Sequence, residues 1–538
     1  MGERARDDRP LRHPVPQCRK RHLCHQRRSP FRLRVMKGAV NYTTSGECAK
    51  GEASSRRNEC PARSFAARPR RCEKDRRHGF SRLKSRLGLC YNAGAMKEVA
   101  RDIFLRTLER IDVRAVVRAQ VALEGERLAL CGEVFDLSLY SRLFVIAFGK
   151  AALAMASAFH ELLGPRLTAG IVVTNTFPPQ HDLREAKHFI LIEGGHPVPN
   201  RGSLEGAERI IEHLRTADDR TLVIFLVSGG GSALVEKPIE DSITLDDLQQ
   251  LHRTLVTAGA TIAEINAVRK HLSAIKGGRL AALAHPARQV TLYISDVNPG
   301  DLSSIASNPT GPDETTLEDV YRTIERYDLL PRLPERIARL IRERRLRETP
   351  KPGDPIFSRS SYHVLMDNRT ALQAAADIAA SLGFRVSVDP EPYEGYYRDV
   401  ADHLLARLVA MREAHVGEPV CVIAGGEVSC PVRGTGIGGR NQEFVLYAAL
   451  RLPELAAGGE IAVLSAGTDG IDGISPAAGA VADAQTVARA RALGLDPERF
   501  LRENDSYTFF HLLSDAVITG PTGNNVRDLR ILLARRPT

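Results

Sequence analysis

From residue 97 onward, short apolar runs alternate with longer stretches of helical spacing. Leu143 to Ala147, Gly170 to Val173, His188 to Glu193, Leu222 to Val227 and Gln289 to Ile294 read as buried strands. Between them, a segment ending near Leu163 and the stretch Leu204 to Thr216 read as helices. Val99, Ile103, Leu105, Leu108, Ile111 and Val116 predict one or two surface helices over 97–120. Residues 259–282 predict a long helix with Asn266, Lys270, Ser273 and Gly277 on one polar stripe, and 317–348 a charged helical stretch. The Pro-rich run Glu348 to Pro355 reads as a linker. A second series follows: strand Tyr362 to Met366, helix Asn368 to Leu382, strand Phe384 to Val388, helix Tyr397 to Ala414, then strands Pro419 to Ile423 and Ile461 to Leu464. Ala477 to Leu493 reads as largely helical, and Ala516 to Thr519 and Leu529 to Leu533 as strands. Strand–helix alternation of this kind predicts an α/β protein with largely parallel sheets. The expected domains are 96–348 and 357–538.

Charge changes the picture at one end only. The formal net charge is +10, yet residues 1–95 hold 25 Lys/Arg against 8 Asp/Glu, leaving the rest at −7. A nucleic-acid function would therefore rest on the Arg-rich segment alone. That segment has no sustained period and few aliphatic clusters, so it cannot offset the entropy of ordering. It reads as a disordered extension and, more specifically, as sequence that is not native coding sequence. Met96 opens an amphipathic helix and makes a sensible initiator. A nucleic-acid-binding arm and a transit peptide are the competing readings. Six of nine cysteines (18, 24, 48, 60, 72 and 90) also lie there, leaving Cys131, Cys421 and Cys430. An odd number without Cys-x-x-Cys spacing fits a reducing cytoplasm and argues against structural zinc. No apolar run is long enough to span a bilayer.

The chemistry gathers at strand ends. Lys150 follows Gly149 at the start of a helix, where a cation opposes the helix dipole unless an anion is bound. Ser228, Gly229, Gly230, Gly231 and Ser232 follow an apolar strand and make an oxyanion or phosphate cradle. Asp296 ends another strand. Two further loops are rich in glycine: Gly425-Gly426-Glu427 through Arg440-Asn441-Gln442-Glu443, and Ser465 through Asp469 to Asp472 and Gly473. Glycine lets backbone N–H groups converge on an anion, and Asp469 and Asp472 offer carboxylates for a metal or a proton. The plain alternatives are ordinary turns and, for Asn266 and Lys270, a solvated helix face. Gly434, Gly436 and Gly439 satisfy Gly-x-Gly-x-x-Gly but lie about ten residues from the strand end, unlike a dinucleotide fingerprint.

Taken together, Phe-Gly-Lys150-Ala-Ala, Gly-Gly-His196-Pro-Val-Pro, Ser-Gly-Gly-Gly-Ser-Ala-Leu, Ile-Asn-Ala-Val-Arg-Lys-His-Leu-Ser, Ser-Asp-Val, Gly-Gly-Glu427, Gly-Gly-Arg-Asn-Gln-Glu443, Ala-Gly-Thr-Asp-Gly-Ile-Asp-Gly and Thr-Gly-Pro-Thr-Gly-Asn-Asn-Val resemble the glycerate 2-kinase family of the MOFRL type. The resemblance covers 96–538. It implies a Rossmann-like N-terminal domain, a smaller MOFRL domain and an active site in the cleft between them. It also implies ATP- and Mg²⁺-dependent phosphorylation of D-glycerate to 2-phosphoglycerate in the cytoplasm, without nucleic acid or membrane; a homodimer is compatible with it.

By the same resemblance Lys150 and Arg440 are the cations at the transferring phosphate and the substrate carboxylate. Asp296 and Asp469 are the metal or base carboxylates, with either order open. The cradle and Lys270 hold phosphate or nucleotide. Asn266, Glu427, Asn441, Glu443 and Asp472 touch substrate or support groups that do. The sequence departs from the family at Asn298-Pro-Gly-Asp301, and at Asn308 where glycine is expected. A hydroxypyruvate reductase and a 3-phosphoglycerate-forming kinase are the rival activities. Peptides from upstream of Met96 are expected to be missing from mass spectra of the protein isolated from its native host; their detection overturns the non-coding reading.

Overall fold

The computed structural model describes residues 95–536 except Pro299 and Ala457, so the Arg-rich segment up to residue 94 lies outside the described residues. A small antiparallel meander comes first: β1 (Val121–Glu124), β2 (Arg127–Leu130) and β3 (Glu133–Asp136). The first large sheet contains β4 (Arg142–Phe148), β5 (Ala169–Thr174), β6 (Phe189–Glu193), β7 (Thr221–Ser228), β8 (Arg288–Ile294) and β9 (Ser360–Met366). Its order is β6-β5-β4-β7-β8-β9, and every pair is parallel. All eight residues of β7 are buried, as expected for a strand covered on both faces. Leu222, Ile224 and Leu226 join one core and Val223, Phe225 and Val227 the other. Burying each such side chain contributes about 1.5–3 kcal/mol.

The chain leaves β4 for β5 and β6 on one side, then returns to β7, β8 and β9 on the other. The order therefore reverses between β4 and β7. Crevices for ligands open at such switch points, beyond the carboxyl ends of the strands. Lys150 and the glycine cradle follow those two strand ends.

The second sheet departs from the largely parallel expectation. It contains β10 (Arg385–Val388), β12 (Val420–Gly426), β14 (Glu460–Gly467), β15 (Gly479–Asp483), β16 (Ala516–Val517) and β17 (Asp528–Arg535), in the order β10-β12-β17-β14-β15-β16. Only β10 and β12 run parallel; every other pair is antiparallel. The reason is β17, which inserts between β12 and β14 against the direction of both. A minor parallel pair, β11 (Gly395–Tyr396) and β13 (Val428–Ser429), lies beside it.

Three local readings also change. Ala477 to Leu493 is not largely helical: Gly479–Asp483 is strand β15, and only Thr486–Ala492 is helical. Its small residues are all buried, and pairing with β14 outweighs the helical leaning of alanine. The 259–282 helix spans only Ile262–His271: Ser273 then bridges Pro238, and Gly277 and Gly278 take φ of +58° and +81° before a new helix at Arg279–Ala284. Residues 317–348 form two helices, Leu317–Arg326 and Glu335–Arg342.

The boundary expected at the Pro-rich run also shifts. That run is packed rather than free: Asp313 N donates to Pro350 O, and Thr349 Oγ1 donates to Asp313 Oδ2 at 2.9 Å. The next strand, β9, pairs with β8 and so belongs to the first sheet. Conversely, the opening helix Ala95–Arg110 is no surface helix. It lies with helix Asn368–Ser381 on the second sheet, and Met96, Ala100, Ile103 and Phe104 join that sheet's core. Among the described residues no helix is long and apolar enough to cross a membrane.

Phe104→Ala should cost about 3–5 kcal/mol. Hydrogen exchange checks it: protection should fall in β12, β14 and β17 before it falls in β4 and β7.

Candidate active site

The first wall is built by close approach of three segments. At Gly149 a Cβ would stand 2.2 Å from Ser228 Oγ, and φ is +126°, so only glycine fits the turn after β4. Lys150 N then donates to Gly229 O at 2.9 Å and Ala151 N to Ser228 Oγ at 3.0 Å. These bonds tie the lysine turn to the cradle. At Gly229 a Cβ would fall 1.8 Å from Asp296 Oδ2. The Asp296 carboxylate at the end of β8 thus lies directly against the cradle backbone. At Gly230 a Cβ would meet His196 at 3.0 Å and Lys150 Cγ at 3.3 Å. Behind the cradle, Ser232 Oγ bonds Ser307 Oγ at 2.7 Å, and Ser307 donates to Asn266 Oδ1. Asn308 takes φ of +49°, the conformation for which glycine is expected there, and its Oδ1 accepts from Gly311 N at 3.0 Å.

The second wall centres on Arg440, the first residue of helix Arg440–Ala449. Its Nε and Nη2 donate to the two oxygens of Asp528 at 2.7 and 3.0 Å, and Nη2 lies 3.2 Å from Glu427 Oε1. Asp528 is fully buried. Burial opposes the Arg440 charge, but the Asp528 hydrogen bond and charge outweigh it and hold the guanidinium firmly ionised. Asp472 fixes the helix that carries Arg440. Its carboxylate accepts from the backbone N–H groups of Asn441 and Gln442 at 3.0 and 2.9 Å, and from both side-chain amides. That is a helix N-terminus satisfied by an anion. Burial lifts Asp472 to about 6, against the pull of those hydrogen bonds.

The charges of the two walls meet. Burial raises Asp296, and the Lys150 and Arg527 charges oppose it. Burial raises Asp469, with Lys150 and Arg440 opposing. Glu427 is raised by burial too, under the influence of Arg440 and Asp296. Asn525 Nδ2 donates across the cleft to Asp296 Oδ2 at 3.1 Å. His196 is pushed down by burial and then by Lys150, which keeps the imidazole neutral at pH 7. A cavity of ≈ 680 Å³ opens here, lined among others by Lys150, His196, Thr174, Asn175, Asp469 and Asn524. That is the size of a small-molecule site.

The structure thus gathers Lys150, the cradle, Asp296, Glu427, Arg440 and Asp469. It does not bring every expected residue to the cleft. Lys270 is buried, with its ammonium 3.0 Å from Asp313 Oδ1. Asn441 Oδ1 accepts from Ser465 Oγ at 2.5 Å, a supporting bond. Glu443 is 1% exposed, and neither carboxyl oxygen has a hydrogen-bond partner. The glycines of the dinucleotide-like pattern serve packing: a Cβ at Gly434 would meet Glu503 O at 2.1 Å, at Gly436 Asp505 Cβ at 2.4 Å, and at Gly439 Asp472 at 2.4 Å. Arg527 and Asp528 carry no signal in the sequence beyond their place just after the Thr-Gly-Pro-Thr-Gly-Asn-Asn-Val motif, which contains Asn525.

Among the described residues no group of three or more His, Cys, Asp or Glu could hold a metal. Mg²⁺ commonly takes one or two carboxylates and completes its shell with water and substrate phosphate. Asp296, whose Oδ2 accepts from a single side-chain amide, and Asp469 fit that limited role.

A switch-point crevice with a glycine cradle, two cations and sparsely paired carboxylates defines an α/β enzyme that handles phosphate. A domain of unknown function (DUF4147) matches residues 99–342 and the MOFRL family matches 420–528. D-glycerate 2-kinase of Thermotoga maritima is 37% identical over 392 residues, covering 72% of this chain and 90% of that protein. A relative from Agrobacterium vitis, 42% identical over 73% of this chain and 99% of its own, carries a provisional hydroxypyruvate reductase name. The crystal structure of a Thermotoga maritima glycerate kinase superposes with a TM-score of 0.71 at 34% identity, covering 82% of this chain and 99% of that one. The chain belongs to the glycerate kinase family.

Glu443 yields a pH prediction. Burial raises its carboxyl from 4.5 to about 7. A raised folded-state value means the native protein binds the extra proton, so this contribution is present below about pH 4.5 and is lost as pH rises through 7. Glu443→Gln should therefore gain about 3 kcal/mol relative to the parent between pH 5 and pH 8, read from denaturant midpoints at the two pH values.

Proposed function

We propose that the protein transfers the γ-phosphoryl group of ATP to D-glycerate and releases 2-phosphoglycerate and ADP. The observation that carries this reading is the placement of Lys150 and Arg440 on opposite walls around Asp296 and Asp469. The names of the relatives specify the acceptor. The ≈ 680 Å³ cavity beside Lys150 has room for a nucleotide.

Phosphoryl transfer asks mainly for positioning and charge stabilisation. The acceptor hydroxyl oxygen forms a bond to the γ-phosphorus while the bond to the β–γ bridging oxygen breaks. The hydroxyl proton passes to a carboxylate, Asp296 or Asp469. Burial raises both groups, which strengthens them as proton acceptors. Lys150 and the cradle N–H groups stabilise charge on the phosphoryl oxygens from one wall, and Arg440 acts from the other. Glu427 and Asp528 hold the Arg440 fork, so it presents a fixed direction to phosphate or to the substrate carboxylate. Mg²⁺, held by the one of Asp296 and Asp469 that does not take the proton, would neutralise charge on the phosphate oxygens when bound. Cytoplasmic residence agrees with the sparse cysteines of the folded body.

The experiment is ³¹P NMR of the product from ATP, Mg²⁺ and D-glycerate. A 2-phosphoglycerate signal supports the reading; a 3-phosphoglycerate signal moves the phosphorylated hydroxyl. Oxidation of NADH by hydroxypyruvate, without any phosphoester, favours the reductase instead. Lys150→Ala should lower kcat by roughly 10²–10³-fold on a fold of unchanged melting temperature. Arg440→Ala should lose turnover too, and lower the melting temperature, because it removes both hydrogen bonds to the buried Asp528 and leaves only Arg530 facing it.

A further inference from the structure

We infer that Arg527 is the clasp between the two walls of the cleft: a positioning residue whose hydrogen bonds to Asn298 and Glu394 keep water from the transferring phosphoryl group. The inference rests on the phosphotransfer reading above and adds a residue and a role to it.

Arg527 lies just before β17, on the second wall, with 6% of its side chain exposed. Its Nη1 donates to Asn298 Oδ1, on the loop that follows Asp296 in the first wall. Its Nη2 donates to Glu394 Oε1 at 2.8 Å, on the loop between β10 and β11 in the second. One planar fork therefore holds both sides at once. The Arg527 hydrogen bond keeps the Glu394 carboxyl below its ordinary range.

The backbone is set for this task. Arg527 takes φ of +69°, left-handed and unusual for a residue with a side chain. Thr468 holds it there: its N–H and its hydroxyl both donate to Arg527 O, at 3.1 and 2.7 Å. The flanking residues are committed elsewhere. Val526 is buried in a core of the first sheet, and Asp528 lies under Arg440. Two residues before Arg527, Asn525 binds Asp296. The Asp296 loop is thus fastened at two points by one short segment.

The chemical consequence follows from what a kinase must avoid. If water reaches the γ-phosphorus, its oxygen forms the new bond and the bridging-oxygen bond breaks. ADP and inorganic phosphate leave, and the surplus proton goes to solvent. A closed cleft suppresses that reaction. Arg527 closes it through its partners and need not touch the reacting atoms.

The test measures inorganic phosphate and phosphoglycerate together, from ATP, Mg²⁺ and D-glycerate. Asn298→Ala removes the bond across the cleft and Glu394→Ala the bond that steadies the fork within the second wall, and both leave the Arg527 charge in place; Arg527→Ala removes it. Each is expected to raise inorganic phosphate per phosphoglycerate roughly tenfold over the parent, the ratio that about 1.4 kcal/mol corresponds to. A purely structural role would lower melting temperature or kcat and leave that ratio alone, and this outcome overturns the proposal. Asn298 is exposed, so its variant carries the test if Arg527→Ala does not fold. If the parent protein makes no phosphoglycerate at all, the phosphotransfer reading falls instead.

Discussion

The site depends on one ion pair, a half-exposed guanidinium on a buried carboxylate. Asp528 has no solvent exposure, yet it holds the Arg440 fork by two hydrogen bonds. A carboxylate in that position is costly unless paired, and a guanidinium there is aimless unless gripped. Each group makes the other tenable. Arg530, also fully buried, lies 3.6 Å from the same carboxylate, and its Nη1 donates to Gly425 O. A second anion, Asp472, fixes the helix terminus on which Arg440 stands. Direction in the cleft is thus set by buried charge, while Asp296 and Asp469 stay lightly bonded and available.

How much of this was legible in the sequence varied with distance along the chain. Lys150, the cradle and Asp296 each follow a recognisable apolar strand, and the rule that ligands gather at carboxyl strand ends places them together. Arg440 and Asp469 announced themselves through glycine-rich loops. Lys270 shows the opposite case. It occupied a polar stripe that suited an anion, but its partner Asp313 lies 43 residues away and no local pattern reveals it. Arg527 and Asp528 were silent for the same reason. Their meaning comes from Asn298, Glu394 and Arg440, all far off in sequence. The second sheet misled through topology, since neither the insertion of β17 nor the pairing of β15 leaves a trace in local periodicity.

The two sheets are not two beads on a string. The opening helix precedes the first sheet in the chain yet packs on the second, and Val526 reaches back from the second into a core of the first. The cleft is therefore framed by segments that cross between the layers. Such crossing restrains the relative placement of the walls more firmly than a single linker would, and it gives the cross-cleft bonds of Asn525 and Arg527 a defined gap to span.

The place of β17 has a consequence for how the protein comes into being. On a ribosome, β12 and β14 emerge well before the strand that must lie between them. Until it arrives, each presents a bare edge of hydrogen-bonding groups with apolar faces, the kind of surface that pairs with the wrong neighbour. The same late strand begins with Asp528, which grips Arg440, and lies three residues after Asn525, which binds Asp296. The strand that completes the second wall of the cleft is thus also the one that covers the sheet's vulnerable inner edges.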